Sequence, residues 1–429
     1  MGSTQQRLDL GVGLIALGAV DVVWPDISDL VDVVEVEPQT LWEGAAGARR
    51  RIAPEPLAWL RGLDRPLLSH GVGFPVGGTT APEPDGVAAS ARSARELGAV
   101  HWSEHLAFNR AGDRFAGFLL PPVQTPEAVA AAARHIASYQ DRLDRPFLVE
   151  TPTNYLQPVA GDLRDGEYVA AVAEAADCGI LLDLHNIWTN ERNGRQSVDD
   201  YLADLPLDRV GEVHLAGGYE TAGYYLDAHV GAVDPALLEI AARVVPRLPR
   251  VRALVFEAVP QSVAVLGVEG LREVLASLHA LASLPVAGSA PLPAGPSGSV
   301  ASSGEPVARE RRTTAEREAE LLAYTTRASD HLGSPDPGAD LMRALTDEGR
   351  LSLLVEGHGA ELGGLITAHG SDGARALLRR FLAETPASAW PEEQGRAFRA
   401  WLRSQPAASP AAAATAAPAS VIRNRESIR

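Results

Sequence analysis

Nine residues able to ligate a metal, His70, His105, Glu150, Asp183, Asn186, His214, Asp227, His229 and Glu257, fall at or just beyond the ends of short apolar runs. Single histidines and carboxylates are ordinarily surface groups or satisfied core residues, but here their positions follow the strands that the runs predict. Glu150 closes PFLV, Asp183 closes GILL and Glu257 follows ALVF. A carboxylate set behind four core-type residues is costly to bury unless it is paired or holds a cation. His70 lies in SHGVGF, where the glycines flanking Val72 would let the chain turn tightly at the strand end. His101 and His105 share one strand face at a spacing of four, with Glu104 on the other. His105, nearer the strand end, is the better ligand, and His101 is expected inside the barrel or near its base. In DLHN, Asp183 and His185 share strand parity, while Asn186 is expected where the strand becomes a loop. Asn186 offers a weak amide ligand, and His185 could take that role or act as an acid or base. In HLAGGYETAGYYLDAH, Asp227 follows His214 by thirteen residues and His229 comes two later, so a carboxylate and an imidazole of one loop could share an ion. Ligands of this hardness, without thiolate, suit iron, manganese or zinc, and such sites activate dioxygen or water. The residues alone leave that choice open.

The elements that must position them are regular. Apolar runs occur at 10–17, 31–38, 66–74, 99–108, 146–155, 179–188, 211–220 and 252–260, with helix-like stretches such as 84–99, 125–143, 166–179, 234–248 and 269–284 between them. Eight strands alternating with helices predict an α/β fold, a (β/α)8 TIM barrel, in which active sites gather at the C-terminal ends of the strands. The barrel is assigned to residues 1–284. Residues 285–312, rich in Pro, Gly, Ser and Ala, read as a flexible linker. Helical periodicity returns over 313–332, 338–354, 372–385 and 392–404, which predicts a small helical domain over 313–405. The tail, 406–429, reads as disordered.

Composition bounds the function. A formal charge of −17 argues against a nucleic-acid partner, whose phosphates are neutralised by Lys and Arg. The lone Cys178 forbids an intrachain disulfide, fits a reducing compartment and reads as a small buried apolar residue. No secretory signal is visible and no uncharged apolar stretch of about 18 residues occurs, so the expected location is cytoplasmic, without membrane contact.

The motifs SHGVGF, SEHLAF, LLDLHN, HLAGG and DAH, in that order, resemble those of the DUF692 family over roughly residues 8–282. These are multinuclear non-haem iron-dependent oxidative enzymes, TIM barrels of the methanobactin-biosynthesis type. The resemblance implies two or three iron ions of mixed valence, O2 as co-substrate, and oxidation of a residue, often cysteine, in a ribosomally synthesised precursor peptide. It implies that Glu150 bridges two irons, with His70 and His105 completing one site. Asp183, His214 and Glu257 would form a second site, and Asn186, Asp227 and His229 a third, more labile one. Glu150 and His185 are the residues expected to act in catalysis. Family members commonly carry Asn-Asn where this chain has His185-Asn186, a departure that bears on the third site. Family enzymes often work with a separate partner that recruits the precursor, a role that residues 313–405 could supply in the same chain. Two other readings stand beside this one: a zinc hydrolase or endonuclease, or a sugar isomerase, of the related xylose-isomerase-like superfamily; and a peptide-binding scaffold with a vestigial cluster. Acidity, and the absence of an Arg/Lys-rich loop near the ligands, argue against DNA.

Overall fold

Runs of branched apolar residues suit strands covered on both faces, as in a parallel barrel ringed by helices. The computed structural model describes residues 8–16, 18, 20–44, 50–286, 312–333, 335–388 and 391–405. Eight of the runs form β1 (Gly11–Ile15), β2 (Val33–Val36), β3 (Leu67–Gly71), β4 (Trp102–His105), β5 (Phe147–Glu150), β6 (Gly179–Asp183), β7 (Val210–Ala216) and β8 (Ala253–Glu257). Each pairs in parallel with its sequence neighbours, and β8 returns to β1, closing a (β/α)8 barrel.

The intervening helices are α1 (Val20–Ile27), α2 (Pro54–Gly62), α3 (Pro84–Leu97), α4 (Pro126–Gln140), α5 (Asp165–Ala175), α6 (Leu184–Arg192), α7 (Val198–Asp204), α8 (Pro235–Val244) and α9 (Pro260–Ala282). Local chemistry sets their ends. Thr125 caps α4 by accepting the Ala128 N–H at 3.1 Å, with Pro126 in the first turn. Gly98, at φ +65°, ends α3 in the left-handed conformation. Helix α9 starts nine residues before the 269 expected from sequence, because Pro260 opens it; Gly267, at φ +62°, then breaks its course.

Inside the barrel, Leu10, Val33, Leu68, Ala253 and Val255 form a buried apolar cluster. Alternation along the strands puts His70 on the face of Leu68, Glu257 on that of Val255, and Glu35 on that of Val33. The ligand candidates therefore stand above an apolar floor.

The described residues divide into two compact units: those within 8–112, 119–286, 312–319 and 336–338 form one, and those within 113–118, 320–335 and 339–405 the other. Beyond the barrel run α10 (Thr314–Thr325), α11 (Pro337–Glu384) and α12 (Pro391–Ser404). The helices expected over 338–354 and 372–385 are joined within α11, whose backbone turns left-handed at Gly370, φ +68°. The second unit has its own core, including Leu354, Leu365, Phe381, Phe398 and Trp401. Most of the expected linker, 287–311, and the expected tail, 406–429, lie outside the described residues. Among the described residues no helix is long and apolar enough to cross a membrane.

Candidate metal centre

Parallel strands end on one rim, so side chains at matching register stand side by side. His105 is the register partner of Glu150, and Asp183 that of His214. The ring of His70 is held at Nδ1 by the Ser103 hydroxyl at 2.8 Å, which turns Nε2 to within 3.5 Å of Glu150 Oε2. His105 donates from Nδ1 to the Gly71 carbonyl at 2.7 Å, and its Nε2 lies 3.2 Å from the same Glu150 oxygen. His214 Nδ1 lies 3.3 Å from Glu257 Oε2 and 4.0 Å from Glu150 Oε1. Glu150 therefore shows one oxygen to His70 and His105 and the other to His214. Two rim sets follow, each with ligand atoms within 4.8 Å of one another: His70, His105 and Glu150; and Glu150, Asp183, His214 and Glu257; a third group of the same kind, Glu35, Glu212 and His214, lies on the inner side of the His214 ring.

Gly71 has another role than the tight turn expected from sequence. A Cβ there would stand 2.0 Å from Glu104 Oε2, so the glycine makes room for a buried carboxylate on the next strand. Glu104 faces away from the ligands, as expected, and accepts a hydrogen bond from Tyr139 at 3.1 Å.

The remaining candidates gather beside the second set. A hairpin of Gly218–Thr221 and Tyr224–Asp227 follows β7 and carries Asp227 at its end. His229, left-handed at φ +53°, sets Nε2 2.8 Å from Asp227 Oδ1 and 3.5 Å from Glu257 Oε2. Asn186 donates from Nδ2 to the Thr151 carbonyl at 3.1 Å, and the Thr153 hydroxyl bridges Asn186 Oδ1 and Asp227 Oδ2.

Two expectations about DLHN need correcting. No loop follows Asp183: its carboxylate accepts the Asn186 N–H at 2.8 Å and caps α6, so His185 and Asn186 lie in the first helical turn and strand parity does not apply to them. His185 Nδ1 lies 3.0 Å from Asp227 Oδ1, and its Nε2 sits so close to the hairpin backbone that a Cβ at Gly218 would come within 2.8 Å. His185 thus backs Asp227 instead of joining the two ligand sets.

Sequence reasoning missed Glu35 and Glu212. Both are fully buried, and Glu35 Oε2 and Glu212 Oε1 lie 3.0 and 3.6 Å from His214 Nε2. His101, expected inside the barrel or near its base, is buried with Nε2 2.7 Å from Glu212 Oε2. The available signal was a glutamate inside an apolar run, in VDVVEVEP and in GEVHL.

The donor atoms fit a cation. His70 Nε2, Glu150 Oε2, Asp183 Oδ2, His214 Nδ1 and Glu257 Oε2, from five different strands, are buried without a hydrogen-bond partner. Such atoms carry a desolvation cost that coordination removes. His70 and His105 also have their other nitrogen hydrogen-bonded, the usual arrangement of a ligating histidine, and that of His214 faces Glu35 and Glu212 at 3.0 and 3.6 Å. Electrostatics agree. Burial pushes the Glu150 carboxyl up to about 8 and that of Asp183 to about 7. Burial opposes charge on His105, but Glu150 and Glu104 outweigh it and raise the imidazole to about 10. Glu257 is held well below the usual carboxylate range, burial notwithstanding, by His214 and His229.

Fold and site together define a (β/α)8 barrel with a multi-residue candidate metal centre at the C-terminal rim. The chain belongs to the family described as RiPP precursor modification enzyme MbnB/TglH/ChrH, whose model matches residues 10–261. It is accordingly an enzyme that acts on a peptide. A UPF0276 protein of Chromobacterium violaceum is 33% identical over 217 residues, 50% of this chain and 75% of that protein. One of Anaeromyxobacter sp. is 33% identical over 259 residues, 59% and 87% of the two chains. Among solved structures, endonuclease IV from Thermus thermophilus is 18% identical with a TM-score of 0.41, covering 63% of this chain and 98% of that one. A xylose isomerase domain protein from Planctomyces limnophilus is 14% identical with a TM-score of 0.42, covering 64% and 97%.

Proposed function

We propose that the centre holds two or three iron ions of mixed valence and that the enzyme uses O2 to oxidise a side chain, a cysteine, of its precursor peptide in the cytoplasm. The observation that carries this reading is the convergence of five buried, unpartnered N and O donors from five strands. A histidine and carboxylate set without thiolate suits iron with open positions, and family membership supplies the peptide. Iron, when bound, supplies the one-electron oxidising steps and the activation of dioxygen.

The chain's own residues do the rest. Glu150 bridges, one oxygen to the His70/His105 side and one to the His214 side. Asp183 and Glu257 complete the second site with His214, and Asp227, His229 and Asn186 form the third. His185 is a positioning residue that acts through Asp227. We assign precursor recruitment to the helical region beyond residue 312.

The test is metal analysis of protein purified without oxygen, with its visible absorption. Two to three irons per chain and visible colour are expected. A colourless protein carrying zinc alone would overturn the iron assignment.

A further inference from the structure

The interior of a TIM barrel is ordinarily packed with branched apolar side chains. Here three ionisable residues, Glu35, Glu212 and His101, are buried at the level of the apolar cluster itself, Glu35 at the register position of Leu68 and Glu212 at that of Ala253, none more than 3% exposed. Burying charge is unfavourable unless the groups are matched. Glu35 and Glu212 both stand against His214, and His101 pairs with Glu212. Glu35 approaches His214 from β2 and Glu212 from β7, both at the ring nitrogen turned away from the candidate centre. His101, from the start of β4, closes the column by holding the second oxygen of Glu212 at 2.7 Å. The opposite nitrogen, Nδ1, is then the one left facing Glu257 and Glu150.

We propose that Glu35 and Glu212, steadied by His101, are positioning residues that hold His214 with Nε2–H turned into the barrel and Nδ1 turned to the metal, and so set the affinity of the Asp183/His214/Glu257 site. The inference rests on the reading of the rim as a metal centre. Two carboxylates on one imidazole fix the ring plane and tautomer more firmly than one, and make the nitrogen a stronger donor. His70 is held by a neutral group, the Ser103 hydroxyl, and His105 by the Gly71 carbonyl at 2.7 Å with the Glu104 carboxylate 3.8 Å from the same nitrogen. His214, facing two carboxylates, is therefore backed by more negative charge than His70 or His105.

The test uses the full chain, stripped of metal and titrated anaerobically with ferrous iron against a competing chelator, in wild type, Glu35→Gln, Glu212→Gln and His101→Gln. Outer-shell changes of this kind cost about 10–100-fold in affinity. That loss is expected for one class of ions in the two glutamate variants and a smaller loss in His101→Gln, with the ions of the His70/His105 side retained. The thermal midpoint of metal-free Glu35→Gln should stay level or rise, because a buried carboxylate is removed, whereas Glu212→Gln, which breaks the buried pair with His101, should melt lower and lose iron affinity as well. A lower metal-free midpoint with unchanged iron affinity would show a merely structural role and overturn the proposal. So would loss of one extra ion with the rest unaffected, since Glu35, Glu212 and His214 would then form a separate cation site. Wild type that takes up iron alongside variants that match it overturns this inference alone; wild type that takes up none overturns the metal reading as well.

Discussion

Nε2 of His105 and Oε2 of Glu150 lie 3.2 Å apart on adjacent strands at the same register position, and the His105 ring is locked from behind by its bond to the Gly71 carbonyl. Register alone brings the imidazole and the carboxylate together. The other oxygen of Glu150 faces His214, so one side chain joins both halves of the rim.

Glu150→Gln keeps the shape but removes the charge and one of the two oxygens. Bound iron should fall and activity on the precursor peptide should be abolished. The measurement is iron per chain beside turnover; full activity at normal iron content would sink the bridging assignment.

Ser103→Ala removes the hydroxyl that holds His70 Nδ1 at 2.8 Å while leaving every ligand in place. Affinity at the His70/His105 side should drop about 10–100-fold. Chelator competition reads this directly, and an unchanged constant would mean that packing alone orients His70.

How far the sequence reveals this site depends on what each residue's neighbours are. Glu150 and Asp183 stand out because each is a charge closing an apolar run, a placement that requires a partner. Glu35 and Glu212 do not stand out. A charge alternating with valine reads as the solvent side of a strand, and only barrel closure turns both towards His214. His185 and Asn186 were misplaced by carrying strand parity past Asp183, whose fitness as a helix cap signalled an immediate start to α6. The Thr153 bridge between Asn186 and Asp227 depends on two loops meeting, which no local pattern encodes.

Metal uptake should release protons. In the metal-free protein burial lifts Glu150 to about 8 and Asp183 to about 7, and the carboxylates beside His105 carry it to about 10, so each retains a proton that ligation must displace. Affinity should therefore rise with pH between about 7 and 10 and weaken as pH falls through that window. Calorimetry in two buffers of different ionisation enthalpy measures the protons released, and zero release would contradict this electrostatic picture.

Cys178 should be inert in the native protein. It is 4% exposed, and burial pushes its thiol up to about 12, so almost no thiolate exists at neutral pH. Iodoacetamide should label it only after denaturation. Labelling of the native chain at a rate like that of free cysteine would reopen it as a reactive group.

Gly71→Ala should strike fold and centre together. The new Cβ would stand 2.0 Å from Glu104 Oε2 and 2.9 Å from Trp102 Cζ2. Glu104 is fully buried and tied to Tyr139, so neither neighbour can swing away, and the strand itself must shift. Overpacking of this kind costs about 1–3 kcal/mol, a fall of several degrees in thermal midpoint. The same shift moves the carbonyl that orients His105, so iron affinity should fall beyond what stability alone explains. Thermal melts and iron titrations of the one variant separate the two effects: a lowered midpoint with wild-type iron affinity would show that the carbonyl keeps its place, and that His105 does not depend on it.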